Sequence, residues 1–282
     1  MKILVTGATG SIGSQVIQQL RARDASFRAF VRDRSKGESL GGDFVVGDFD
    51  SPESLRAALQ GVDRVLLNGT PSEGLVRQHR AVIDAAKQAG VSHVVRISTR
   101  GASTTTDFLV GRWHGEADAY LEASGLGWTA LRPTYFMQNL LRNAESIRNG
   151  GRFFGAFGTG RIAFIDSGDI ARSAVAQLTH ASPHSGAHSL TGPEALTFDE
   201  FAAKLSARLG KPVAYVDRPV SEVIENMRAQ GFPEAMLGSF KGMFEAFAKG
   251  AASQLATGVK DLTGTEPRTL DAFLADHAES FR

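Results

Sequence analysis

A doubly wound parallel α/β sheet is the fold class this sequence predicts, with a smaller α/β lobe towards the C-terminus. Three observations predict it. A short apolar run at Ile3–Val5 breaks into glycines spaced Gly7-x-x-Gly10-x-x-Gly13, and an apolar-periodic segment (Ile12, Val16, Ile17, Leu20) follows at once. That is strand, tight turn, helix. Strand-like and helix-like segments then alternate without interruption to about residue 150, the pattern of a parallel sheet with crossover helices. Beyond that point the rhythm changes, yet no linker rich in Pro or Ser appears. Residues 1–150 therefore read as one sheet domain to which later segments return, and 151–282 as a smaller lobe fused to it, with a pocket between them.

The first glycine permits a backbone angle that side chains disfavour, the second leaves room for a pyrophosphate, and the third lets helix and strand pack closely. The helix that follows offers unpaired N–H groups and the positive end of its dipole. The turn is a dinucleotide site in outline, although its spacing departs from G-x-G-x-x-G. A second strand, Ser26–Val31, ends in Arg32-Asp-Arg34-Ser-Lys36. At that point an acid binds a ribose 2′-hydroxyl and a cation accommodates a 2′-phosphate. Arg32 favours NADPH over NADH, with Asp33 the competing candidate for the ribose.

A third strand, 43–46, leads to Gly47-Asp48-Phe49; Asp48 and Phe49 fall beside the adenine, with a turn role the alternative for Asp48. Ser51 before Pro52 starts a helix. The fourth strand, 62–67, runs into Asn68-Gly69-Thr70-Pro71, a polar turn at a carboxyl end, where open α/β sheets bind ligands. A helix over 73–89 carries His79 on its apolar face as a core residue and stops at Gly90. The fifth strand, 92–97, ends in Ser98-Thr99. A helix over about 107–123 precedes the sixth strand, 126–131, which ends in Arg132-Pro133-Thr134-Tyr135-Phe136. The glycine-aromatic stretch 150–160 has little regular period. An extended run at 161–165, a helix over 166–178, short strands near 187–190 and 213–216, a capping box at Thr197-x-x-Glu200, and helices from Phe198, Ser221 and Pro233 complete the lobe.

Composition narrows the function. Lys and Arg (31) nearly balance Asp and Glu (30) with no basic block, so neither nucleic acid nor a membrane is an expected partner. The absence of cysteine excludes disulfides and thiolate chemistry and fits a reducing cytoplasm. Met1 leads directly into the first strand, leaving no room for a leader. Seven scattered histidines form no ligand pair, so no metal is expected.

Taken together, Val5-Thr-Gly-Ala-Thr-Gly-Ser-Ile-Gly13, Val31-Arg32, Gly47-Asp48, Ser98-Thr99, Trp113-His114-x-x-x-Asp118-x-x-Leu121 and Leu131-Arg-Pro-Thr-Tyr-Phe-Met-Gln-Asn139 resemble the NmrA-like atypical short-chain dehydrogenases across essentially the whole chain. That family has a Rossmann-type NAD(P)-binding fold. It includes NADPH-dependent quinone oxidoreductases, triphenylmethane-dye reductases and azoreductases, as well as a redox-sensing regulator. The resemblance implies that Thr6, Gly7, Thr9, Gly10, Ser11, Ile12 and Gly13 hold the pyrophosphate, that Arg32 takes the 2′-phosphate, and that Asp48 and Phe49 take the adenine edge. It assigns Asn68, Gly69, Thr70, Ser98, Thr99, Pro133, Thr134, Tyr135 and Phe136 to the nicotinamide half, and places His114 beside the nicotinamide ribose as the candidate catalytic residue.

One departure carries mechanistic weight. If His114 stands where the usual Tyr-x-x-x-Lys pair has its lysine, the tyrosine position is Val110. Tyr120 is no substitute, because Ser124 stands four residues on. Without that proton donor a simple ketone is poorly served, whereas conjugated aromatic acceptors such as quinones, azo compounds and triarylmethane dyes spread the arriving charge. Candidate walls for such a substrate are Trp113, Tyr135, Phe136, Met137, Leu140, Phe153, Phe154, Phe164, Phe240 and Phe244, with 238–244 as a candidate flap. The expected enzyme is an NADPH-dependent oxidoreductase, monomeric or homodimeric; the alternative is an NADP(H)-binding redox sensor without turnover.

Overall fold

The computed structural model describes residues 1–282. Its nine strands are β1 (Lys2–Val5), β2 (Ser26–Val31), β3 (Phe44–Val46), β4 (Arg64–Leu67), β5 (His93–Ile97), β6 (Gly127–Pro133), β7 (Arg152–Gly155), β8 (Gly186–Leu190) and β9 (Ala214–Asp217). Seven of them form one sheet in the order β3-β2-β1-β4-β5-β6-β8, parallel at every pairing. The strand order reverses between β1 and β4, which opens a crevice at their carboxyl ends.

Both sheet faces are covered, and the pleat sorts the side chains. Ile3, Val5, Leu66, Val95 and Ile97 face α1 (Ser11–Arg21) and a helix that returns from the second half of the chain, Ser167–Thr179. Leu4, Val65, Leu67 and Val94 face α3 (Pro52–Leu59), α4 (Leu75–Gln88) and α5 (Leu109–Glu122). A short helix, α2 (Arg34–Leu40), lies between β2 and β3. After β6 come a 3-10 helix, Met137–Asn143, and α6 (Ala144–Gly150); the returning helix is α7. The remaining helices are α8 (Phe198–Leu209), α9 (Val220–Ala229), α10 (Glu234–Ala248), α11 (Gly258–Thr263) and α12 (Leu270–His277). A third core joins Met137, Leu140, Phe153, Phe164, Phe198, Phe201 and Phe273 from these later elements.

Helix starts follow local chemistry. The Ser51 hydroxyl accepts from the Ser54 amide with Pro52 at the first position, and Thr197 with Glu200 forms both halves of the capping box. The basic segment after β2 forms α2, because Asp33 caps it. Three expectations are corrected. The glycine-aromatic stretch contains β7, which pairs in parallel with β9. The strand near residue 187, assigned to the smaller lobe, adds to the main sheet beside β6. Residues 238–244 are no flap: they lie inside the fifteen-residue α10, whose Leu237 and Phe244 are buried in the third core.

Candidate active site

The phosphate turn is set by close backbone approach. Gly7 has φ +60°, and a Cβ there would lie 2.8 Å from both the side-chain Nδ2 and the backbone carbonyl oxygen of Asn68. A Cβ on Gly13 would collide with the Gly7 carbonyl. Gly10 is the N-cap of α1 and supplies no side-chain acceptor, so the helix's first N–H groups remain open beside exposed Thr9 and Ser11. Ile12 points down into the core beneath them. Thr6 does not face the groove. It is fully buried, donating to the carbonyl of Leu66 (3.0 Å) or Asn68 (2.9 Å) and accepting from the Asn68 amide (2.8 Å), so it clamps β1 to the exit of β4.

At the end of β2 the two candidates for the ribose part company. Asp33 Oδ1 accepts from the Ser35 hydroxyl (2.6 Å), the Lys36 amide (3.3 Å) and the Ser35 amide (2.8 Å), which hold the carboxyl below its ordinary range. Arg32 is exposed and makes no hydrogen bond or ion pair. Asp48 Oδ1 accepts from the Asp50 amide at 2.8 Å, the turn role weighed for it. Phe49 stacks on Phe30 (5.6 Å, 8°) and meets His79 edge-on. A Cβ on Gly69 would lie 2.9 Å from His79 Nε2. Thr70 is exposed beside it.

The ends of β5 and β6 carry a buried polar network. Ser98 Oγ donates to Asp118 Oδ2 at 2.8 Å, and Arg132 donates to the same oxygen from Nε (3.0 Å) and Nη2 (2.8 Å). Arg96, wholly buried on β5, pairs with Asp118 Oδ1 through Nη1. Its Nη2 lies 3.0 Å from His114 Nδ1 and its Nε 3.0 Å from His79 Nδ1. Burial, and then the charge of Arg96, push His114 down to about 3; the same two causes hold His79 far below its ordinary value. Both imidazoles are neutral at physiological pH. His79 is the core residue expected of it. Arg96 was missed by sequence reasoning. The available signal was a charge inside the aliphatic run His93–Ile97.

Thr99 and Phe136 are half-buried at the groove and Pro133 is buried. Thr134 turns inward, its hydroxyl donating to the Ala163 carbonyl, which takes it out of reach of a ligand. Tyr135 sits among Phe157, Phe164, Phe198 and Phe247, and burial pushes its hydroxyl up to about 12. The substrate walls divide. Trp113 and Phe240 are half-buried, whereas Met137, Leu140, Phe153 and Phe164 are enclosed and Phe244 nearly so. Those five fill the third core, since the 3-10 helix turns Met137 and Leu140 inward onto it. Phe154 faces solvent beneath Arg218. A cavity of about 530 Å³ lies along β8 and Ala256–Gly258, and none of the groove residues line it. No group of acidic or histidine side chains is arranged to hold a metal, and no helix is long and apolar enough to cross a membrane.

A glycine-built phosphate turn at the switch point of a parallel sheet, opening an uncapped helix, defines a dinucleotide-binding protein. The chain belongs to the NAD(P)H-binding family, whose model matches residues 7–182, in keeping with the resemblance to NmrA-like atypical short-chain dehydrogenases. It is 37% identical over 282 residues, 99% of each chain, to the NAD(P)H azoreductase of Xenophilus azovorans. Its fold matches the NADPH-dependent quinone oxidoreductase of Escherichia coli complexed with NADPH at TM-score 0.87, with 28% identity over 97% of this chain and 99% of that one. It also matches the triphenylmethane reductase of Citrobacter sp. complexed with NADP(H) at TM-score 0.86, with 26% identity over 98% and 99%.

Proposed function

We propose that this protein is an NADPH-dependent oxidoreductase that transfers a hydride to a conjugated aromatic acceptor of the quinone, azo or triarylmethane-dye type. The residues present fit the dinucleotide: the cradle is one that a Cβ at Gly7 or Gly13 would fill, the start of α1 is open, and Arg32 is unpaired where a 2′-phosphate falls. The reduced nicotinamide, when bound, supplies the hydride. The chain would bind and orient it with the open amides of Ser11–Gly13, with Arg32, with the strand ends at Asn68–Thr70 and Ser98–Thr99, and with Phe136. The azoreductase, quinone oxidoreductase and triphenylmethane reductase named among its relatives support the acceptor class.

The observation that carries this reading is the lack of an acid beside the groove. His114 holds no proton to give as an imidazolium near neutral pH, and burial raises Tyr135. Tyr120 is turned away, donating to Asp84 at 2.7 Å. Such a site suits an acceptor that delocalises the incoming charge. Half-buried Trp113 and Phe240 stand as its walls, with the lobe after residue 150 forming the far side.

The test is loss of nicotinamide absorbance when the protein is mixed with NADPH and quinones, azo dyes or triarylmethane dyes, with NADH run alongside. Turnover favouring NADPH is expected. Silence across the panel with cofactor binding intact would refute catalysis and leave an NADP(H)-binding redox sensor.

A further inference from the structure

Arg96 heads the largest completely buried side chains and stands at the centre of a sheet where a strand covered on both faces otherwise takes aliphatic residues. A guanidinium only donates; it has no lone pair to accept with. Its contacts at 3.0 Å with Nδ1 of His114 and at 3.0 Å with Nδ1 of His79 therefore require both nitrogens to accept. A neutral imidazole has one accepting and one donating nitrogen, so each ring carries its proton on Nε2. Asp118, pinned by Ser98 and Arg132, fixes the guanidinium, which also donates from Nη1 to the His114 carbonyl at 3.3 Å. His114 Nε2 makes no hydrogen bond and is not sealed off, whereas His79 Nε2 is enclosed and unpartnered beneath Gly69.

We propose that Arg96 is a positioning residue that locks His114 as a neutral imidazole donating from Nε2, presenting a fixed N–H to an oxygen acceptor in the groove. This rests on the reading of the groove as the nicotinamide side, but the lock itself does not depend on turnover. His114 neither accepts a proton from its ligand nor releases one to it. The charged and titratable groups around the ring are Arg96 on β5, His79 on α4, Asp118 on α5 itself and Arg132 on β6. From α10, which packs on α5, Lys241 and Glu245 are exposed and pair with each other at 4.0 Å.

The experiment is long-range 15N–1H correlation on the full chain labelled with 15N-histidine, with the His114 and His79 signals assigned by loss of one ring in His114→Gln and another in His79→Gln. From pH 5 to 8 both rings are expected to hold the Nε2–H pattern without shifting. An Nδ1–H pattern, or a titration shift of His114 within that range, overturns the proposal. Arg96→Met, if it folds, is expected to give His114 a mixed-tautomer signal that moves with pH; an unchanged Nε2–H signal in that variant overturns it equally. If Arg96→Met does not fold, the wild-type spectra decide. Because the readout needs no acceptor, failure of the lock and failure of the reductase reading remain distinct.

Discussion

Replacing Arg32 by Ala isolates cofactor choice from everything else in the molecule. The side chain is exposed and makes no hydrogen bond or ion pair, so its removal leaves packing intact and the unfolding free energy within about 0.5 kcal/mol of wild type. What it loses is a charge-assisted interaction with a 2′-phosphate, worth about 1.5–3 kcal/mol. In an exposed, screened position the lower part of that range applies, and about 1.5–2 kcal/mol converts to roughly a 10- to 30-fold rise in KM for NADPH. NADH has no 2′-phosphate, so its KM stays where it was. Asp33 gives no compensating gain for NADH, because its bonds from Ser35 and Lys36 are the same with or without the Arg32 side chain. Arg34 and Lys36, both exposed nearby, retain part of the positive field, which makes the ratio of the two cofactors the informative quantity. The assay is KM for NADPH and NADH, wild type against variant, at low and high ionic strength, with wild-type preference shrinking as salt rises. An equal rise for both cofactors, or no change for NADPH, would refute the assignment of Arg32.

Gly13→Ala places a methyl group against the backbone at Gly7 and Ala8, neither of which can retreat, and is expected to lower stability by about 1–3 kcal/mol and weaken NADPH binding; equilibrium titration and urea unfolding check both, and a silent variant would contradict the turn. Met137→Ala and Leu140→Ala remove enclosed core volume, at about 2–5 kcal/mol each, while leaving the relative rates with different acceptors unaltered. A shift in acceptor preference at wild-type stability would return those two residues to the pocket. Acid lability follows from the buried imidazoles. The unfolded state binds a proton at each near pH 6.5, while the folded state refuses it until about 3 at His114 and well below the ordinary value at His79. Stability is therefore full above about pH 6.5 and falls as pH drops below it, by about 1.4 kcal/mol per pH unit per ring. Unfolding midpoints between pH 7 and 4.5 test this, and His114→Gln should make the decline shallower.

The parallel sheet was legible because strands covered on both faces read as aliphatic runs that end abruptly in Gly, Asp or Ser, as at Val5-Thr6-Gly7 and Val46-Gly47-Asp48. Where local pattern fell short, tertiary pairing had decided. Residues Arg34–Leu40 show no apolar stripe; Asp33 caps them, and Gly37 lets the helix settle on Phe44, against whose ring a Cβ would stand at 2.5 Å. Strand β7 hides in a glycine-rich stretch because its partner, β9, comes far later in the chain. Strand β8 has the length and composition of any short edge, and only its register against Thr129–Pro133 places it in the main sheet.

In the site, backbone demands were legible and side-chain directions were not. Gly7 and Gly13 announce a close approach whatever surrounds them, but an apolar side chain satisfies a core and a flat ligand equally, so Met137 and Leu140 gave no sign of turning inward. Arg96 presents the reverse difficulty, a charge in a run where burial disfavours one. Taking a guanidinium and a carboxylate out of water often costs as much as their attraction returns, so the pair with Asp118 is weak evidence for stability. An uncharged methionine would fill much of the same space between β5 and the helices above it. What methionine cannot do is donate to Nδ1 of two histidines at once and thereby decide which nitrogen each ring presents, and that difference makes the buried charge intelligible as part of the site.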